Sequence, residues 1–206
     1  EAYLFGYPLV LMDITRGVMT ATPHVTERKA PVNQFAHAST FPAPPATGMV
    51  SPKADTLYST AWLDLSSEPL VLSVPAMGNR YYLMQMLDMW TNVFASIGTR
   101  TTGKGKGDFA IVGPSWKGKL PAAAQEIKSS TNIVWLCGGT LARKDNYQSV
   151  HAIQDQYRLT PLSEWGKDYT PPNDVRVDVK VDTRTPAADQ VAAMDPISFF
   201  SRINTL

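Results

Sequence analysis

Residues 55–65 read Asp55-Thr56-Leu57-Tyr58-Ser59-Thr60-Ala61-Trp62-Leu63-Asp64-Leu65. Side chains of a strand alternate between two faces. Leu57, Ser59, Ala61, Leu63 and Leu65 then share a mostly apolar face. Tyr58, Thr60, Trp62 and Asp64 share the other, which carries a phenol, a hydroxyl, an indole and a carboxylate. The stretch predicts a strand with one face committed to a core. The second face is either a site or the wet side of a sheet.

Further strands are predicted at Leu70–Val74, Arg80–Trp90, Val93–Ile97, Phe109–Val112 and Ile133–Leu141. Val175, Val177, Val179 and Val181 alternate with Arg176, Asp178 and Lys180, the cleanest half-exposed pattern in the chain. Helices are fewer. An N-terminal apolar segment, Ala2–Met12, reads as a core-packed helix kinked or stopped near Gly6 and Pro8. It is about 11 residues long, where a membrane span needs roughly 20. Asp145 is a candidate cap for a helix carrying Val150, Ile153 and Tyr157 on one side, and Thr185-Pro186 opens another. Asp195-Pro196 reads as an N-cap followed by proline in the first turn. Ile197, Phe200 and Ile203 then form an apolar face that reaches Leu206 uncovered. Residues 22–54 have no period and read as an extended connector anchored by Phe35 and Phe41. Strands outnumber helices and mostly follow one another directly. The expected class is mainly β, an antiparallel barrel or jelly-roll-like sandwich with a few peripheral helices.

The chain has 206 residues, a net charge of +1 and 18% charged residues. That balance argues against a nucleic-acid partner, which would demand a basic surface. The 16 prolines and 13 glycines suit a turn-rich β protein. One cysteine, Cys137, excludes an internal disulfide and reads as a buried, inert thiol. Three dispersed histidines, His24, His37 and His151, predict no metal site. The run Gly103–Gly107 lacks the spacing of a phosphate-binding loop and reads as a hairpin tip. No nucleophile elbow, dinucleotide fingerprint or other cofactor motif is present, so no cofactor is expected.

Polar residues set among apolar strands are the remaining candidates. On a single strand Arg80 and Asp88 would stand about 26 Å apart, at about 3.3 Å per residue. Each needs a partner from elsewhere, because an unpaired buried charge is costly. One reading has Arg80 or Arg100 locking a carboxylate such as Asp55, Asp64 or Asp88 into the core. The other has His37, Tyr58, Tyr82 and a carboxylate converging on a cleft, where burial and charge tune acid–base groups.

Several strings in order carry a family resemblance: DTLYSTAWLDLSSEPLVLSVP, NRYYLMQMLDMWTNVFASIGTRTTG, FAIVGPSW and AIQDQYRLTPL, preceded by EAYLFGYPLVLMDITR and the NQFAH around His37. Together they resemble the bacterial family filed as domain of unknown function 1254, over Glu1 to about Leu162. The resemblance implies a mainly β N-terminal part, 55–185, preceded by the helix and connector at 1–54. DPISFFSRINTL resembles the junction to a partner domain, so 186–206 is expected to be a linker helix leading to a C-terminal β domain. It also implies export to the periplasm or beyond. Pro52-Lys53-Ala54-Asp55 stands where the family usually carries an asparagine, so no ligand role passes to Lys53 or Ala54.

Two functions follow. In the first, the chain is a ligand-binding or assembly module of a longer protein, taking a small or polymeric ligand or packing into a homo-oligomer. In the second, it is a hydrolase or lyase. Asp55 or Asp88 would then serve as acid or base, His37 and Tyr58 as proton carriers, and Arg80 as anion clamp. Tyr82, Trp62, Asp64 and Arg100 are the candidate ligand contacts in either case.

Overall fold

The computed structural model describes residues 1–42 and 54–206. The middle of the expected connector, with Lys53, lies outside the described residues. The elements in order are α1 (Ala2–Thr20), β1 (Ala36–His37), β2 (Thr56–Asp64), β3 (Leu70–Val74), β4 (Tyr82–Leu87), β5 (Val93–Gly98), β6 (Gly107–Val112), β7 (Ala124–Lys128) and β8 (Ile133–Leu141). They continue with α2 (Tyr147–Gln154), β9 (Arg158–Pro161), a short 3-10 turn at Leu162–Glu164, α3 (Ala187–Ala192) and α4 (Pro196–Ile203).

Among the described residues nine strands form two separate sheets rather than one closed barrel. One runs β1-β2-β8-β4-β5 and the other β7-β6-β3-β9. Every pairing is antiparallel except β6 with β7, which is parallel. The sheets face each other as a sandwich. Leu63, Met84, Met86, Ile97 and Leu136 of the first meet Leu70, Leu72, Phe109, Ile111 and Leu159 of the second in one cluster. The expected class, mainly β with peripheral helices, is what the chain adopts.

The alternation of residues 55–65 decides this packing. Leu57, Ser59, Ala61 and Leu63 are all buried; Ala61 and Leu63 join the cluster between the sheets, while Leu57 packs with Ala142 and with Val150 of α2. Register places them beside Thr140, Gly138, Leu136 and Val134 of β8. The opposite face is not simply wet. Trp62 stacks on Trp135 at 5.2 Å, and both lie in a cluster with Leu9, Met12 and Met19 of α1. The indole of Trp62 donates to the Met19 sulfur at 3.4 Å. The central strands are therefore covered on both sides over this region.

Several expectations are corrected. Helix α1 runs unbroken for 19 residues through Gly6 and Pro8. Pro8 falls in the second turn, where the carbonyl it leaves without a partner is that of Leu4, 75% exposed and able to reach water. Residues 175–181 form no strand. Among the described residues no neighbouring strand offers a ladder to their backbone, and Val179 is 93% exposed. Arg80–Trp90 is shorter as a strand than expected, because Asp88 turns the chain. Gly103–Gly107 is not a hairpin tip: it joins β5 of one sheet to β6 of the other. Asn146, not Asp145, occupies the cap position of α2, and Tyr157 lies beyond that helix. Cys137 is half-buried rather than buried. Strands β1, β7 and β9 lack a sequence pattern long enough to read.

Helix α4 begins as expected, with the Asp195 carboxylate accepting from the backbone of Ile197 and Ser198. Its apolar face is only partly uncovered. Phe199 and Ile203 pack against α1, while Ile197 remains 80% exposed. Close approach is possible because Gly6 has no side chain. A Cβ there would stand 2.1 Å from Ile203 Cδ1. The same crossing contains the one buried carboxylate that is salt-bridged among the described residues. Asp13 is 5% exposed and accepts from Arg16, three residues along its own helix, and from Arg202 of α4, both at 2.7 Å. Neither Arg80 nor Arg100 takes that role.

Asp13→Ala removes charge-assisted bonds to two partly exposed arginines. It is expected to destabilise the protein by about 2 kcal/mol, the low end for bonds to charged groups because solvent screens both partners. The midpoint of urea unfolding measures it. Proteolysis within 195–206 should accelerate in parallel, and an unmoved midpoint would show that the latch is not what holds α4.

Candidate functional site

The two sheets leave an opening where their edge strands β1 and β9 face each other. Antiparallel pairing sets Ala36 opposite Thr60 and His37 opposite Ser59. Directly opposed residues point to one face, so His37 joins Ser59 on the inner side of its sheet. The turn that aims β1 is built by Asn33, whose φ is 66°. Its backbone N–H donates to Trp62 O, and its side-chain carbonyl accepts from the Asp64 backbone.

A cavity of about 460 Å³ opens at this edge. Asn33, Gln34, Phe35 and His37 line one wall, and Tyr157, Arg158, Leu159 and Thr160 another. Asp168, Tyr169, Thr170 and Pro171 complete it as a strap. The strap continues into contacts with the segments before β1. Gln34 Nε2 donates to Pro172 O at 3.0 Å, His24 Nδ1 bonds Asn173 O at 2.6 Å, and the Val175 backbone donates to Pro23 O.

His37 is held from behind. Its Nδ1 lies 2.8 Å from Ser59 Oγ, and Ser59 is completely buried. Gln154 of α2, 2% exposed, donates to Tyr58 O at 3.1 Å and Ala38 O at 3.3 Å, and more weakly to Ser59 Oγ at 3.4 Å. The imidazole stacks on Phe35, with ring centres 5.2 Å apart and planes 20° apart. Tyr157 stands 6.2 Å from the imidazole and shares a 2.8 Å hydroxyl contact with Thr140. Among the described residues no hydrogen bond reaches His37 Nε2.

Electrostatics follow from this burial. Loss of solvent pushes the imidazole down to about 4; the Asp155 charge opposes that fall and Arg158 adds to it. His37 is neutral at pH 7. Burial pushes the Tyr157 phenol well up, against the Thr140 hydrogen bond and with the Tyr82 phenol. Tyr82 is raised by burial too, against its bond to Thr102. The site therefore offers neutral donors and acceptors at its base. Charge comes from Arg158 and Asp168, which form no ion pair with each other or with another described residue.

The expected residues divide. His37 and Tyr82 share the inner face, and Tyr157 lies between them in the cluster. Tyr58 is one residue from Ser59 and so points to the opposite face of the sheet. Asp55 is exposed at the start of β2, where its carbonyl accepts from Ala142. Arg80 spends its guanidinium on Leu141 O at 2.7 Å and Ser149 Oγ at 2.8 Å. Asp88 is 4% exposed and closes the β4–β5 turn. It accepts from the backbone of Trp90 and Asn92, the Asn92 amide and the Ser130 hydroxyl. Trp62 is core, Asp64 caps its own turn through Ser66, and Arg100 lies over the Tyr81 ring at 5.5 Å. The five proposed catalytic residues do not converge. Tyr157, Arg158, Gln154, Asp168 and Tyr169 were not singled out as site residues. The first three sit in AIQDQYRLTPL, whose density of polar groups beside apolar ones was the available signal. No group of three or more metal-ligating side chains occurs among the described residues.

A family profile, "Protein of unknown function (DUF1254)", matches residues 32–161. No curated protein matches the chain. Among solved structures, the VPA0106 protein from Vibrio parahaemolyticus aligns at 28% identity with a TM-score of 0.68, over 99% of this chain and 44% of that one. A Burkholderia cenocepacia protein aligns at 12% identity over 61% of this chain and 36% of that one, and its TM-score of 0.38 carries no argument. The chain thus spans less than half the length of either.

The depressed imidazole has a consequence for stability. Between pH 6.5 and about 4 the unfolded chain binds a proton that native His37 refuses, so stability falls as pH falls through that window. The loss saturates below about 4, at about 3 kcal/mol, taking 1.36 kcal/mol per factor of ten in acidity. Urea unfolding of wild type and His37→Asn at pH 7, 5.5 and 4 measures it. The difference between the two curves should shrink by most of that amount, and parallel curves would contradict a buried neutral imidazole.

Proposed function

The chain belongs to the DUF1254 family of proteins of unknown function, and we propose that it is the small-molecule-binding module of a longer, exported protein of at least two domains. The observation that carries this reading is His37: a neutral imidazole, anchored through Nδ1 to a fully buried hydroxyl, on the wall of a cavity that also holds Arg158 and Tyr169. A cavity of about 460 Å³ falls in the usual range for small-ligand sites, roughly 300–1,000 Å³. A base is most effective when its pKa lies near the working pH. An imidazole lowered to about 4 is a better hydrogen-bonding partner than proton acceptor. Support for the longer protein is the Vibrio relative, of which this chain covers 44%. Export rests on the family resemblance, and a homo-oligomer remains the alternative use of the module.

One contact favours a second reading, hydrolysis. Ser59 and His37 are within hydrogen-bond distance, as a nucleophile and its base would be. Against it, Ser59 has no exposed surface for a substrate to reach.

A fragment screen followed by two-dimensional NMR tests the first reading. Hits are expected to shift the resonances of His37, Arg158 and Tyr169 together, and Thr160→Trp, which fills the mouth, should weaken them at least tenfold. Hits scattered elsewhere would refute the cavity as the site. Labelling of Ser59 by a fluorophosphonate would favour the hydrolase instead.

A further inference from the structure

We infer that the cavity takes a small zwitterion: a molecule with a carboxylate, a cationic nitrogen and an apolar body, as in an aromatic amino acid. The inference deepens the ligand-binding reading and rests on it. Its ground is the pair of opposite charges on the lining, Arg158 on β9 and Asp168 on the strap. Among the described residues neither is within 4.0 Å of an opposite charge. Nearby, Lys167 does find Glu164, so pairing is available locally and these two do not use it. Two unspent charges of opposite sign on one cavity match a ligand that carries both.

The alternatives fit less well. A simple anion would meet Arg158 but also the like charge of Asp168. A simple cation would reverse the conflict. His37 does not tip the balance, because its ring carries no charge at neutral pH and its open Nε2 can serve either as donor or as acceptor, according to tautomer. The rest of the lining is mixed: Val25, Phe35, Leu159 and Pro171 with the Tyr169 ring offer an apolar body its contacts, while Asn33, Gln34, Thr160 and Thr170 add uncharged hydrogen-bonding groups. The guanidinium suits a carboxylate in particular, since its planar fork matches two oxygens at once. Both charges stay solvated, so binding should weaken as salt rises.

The test titrates the protein with three probes by NMR and calorimetry. L-Phenylalanine carries both charges, 3-phenylpropionate lacks the ammonium and phenethylamine lacks the carboxylate. Expected is binding of L-phenylalanine at least fivefold tighter than either truncated probe. Arg158→Ala should weaken L-phenylalanine and 3-phenylpropionate at least threefold and spare phenethylamine. Asp168→Asn should weaken L-phenylalanine and phenethylamine and spare 3-phenylpropionate. Far-UV circular dichroism and the unfolding midpoint of each variant establish that it folds. If 3-phenylpropionate binds as tightly as L-phenylalanine, or if none of the three binds, the zwitterion is refuted. The cavity reading survives that result wherever fragments still shift His37, and falls only with the fragment screen itself.

Discussion

The register of β2 against β8 is the constraint on which the rest of the molecule depends. Pairing Ala61 with Leu136 and Leu63 with Val134 sends one apolar row into the space between the sheets. Because the side-chain period is two, a slip of one residue would exchange the two faces of β2 completely. Trp62 would part from Trp135 of β8 and enter the sandwich, and Ala61 and Leu63 would leave the inner face. The same register puts Ser59 inward and thus decides where His37 can be held. Core and site are specified by one choice.

Polar groups in this fold are satisfied mostly close to home. Asp64 closes the turn at the end of its own strand, and Asp88 does the same while also taking the Ser130 hydroxyl from the segment before β8. A turn supplies several backbone N–H groups within reach of one carboxylate, which a distant arginine reaches only with loss of side-chain entropy. Other groups reach far along the chain, and two of them fasten a helix. Arg80 caps the end of β8 and meets α2, and Asp13 draws α4 onto α1. Both tie a helix to something else, where no local backbone donor or acceptor remains to be used.

The cavity arises from how the two sheets end. Strand β1 has two residues and β9 has four, so the edge of the sandwich is too short to close on itself. Residues 168–175, which make no ladder of their own, bridge the gap through single hydrogen bonds. Such a rim combines a rigid base, in the Ser59–His37–Gln154 group, with a lid of few contacts. In the proposed binding role the base would fix orientation, and Arg158 of β9 and Asp168 of the strap would supply charge. The buried polar group is connected to backbone carbonyls on two elements, which makes its geometry hard to alter without loss of stability.

Local sequence is enough to place most strands, their inward faces and the start of α4. These are local matters: period-two alternation in residues 56–64 and 133–141, and an aspartate before a proline at 195–196. It also carried the family resemblance, and the stretch containing Tyr157 and Arg158. Only the tertiary structure decided which faces are covered. Residues 175–181 show the limit well, since perfect alternation forms no strand without a neighbour to complete its hydrogen bonds. It alone separated Tyr58 from His37, whose closeness in the expected cluster fails on the parity of one residue. And it alone brought His37, Arg158 and Asp168 to one opening, because strand pairing between distant residues, such as Leu70 with Pro161, is fixed by the shared core and leaves no mark in the local pattern.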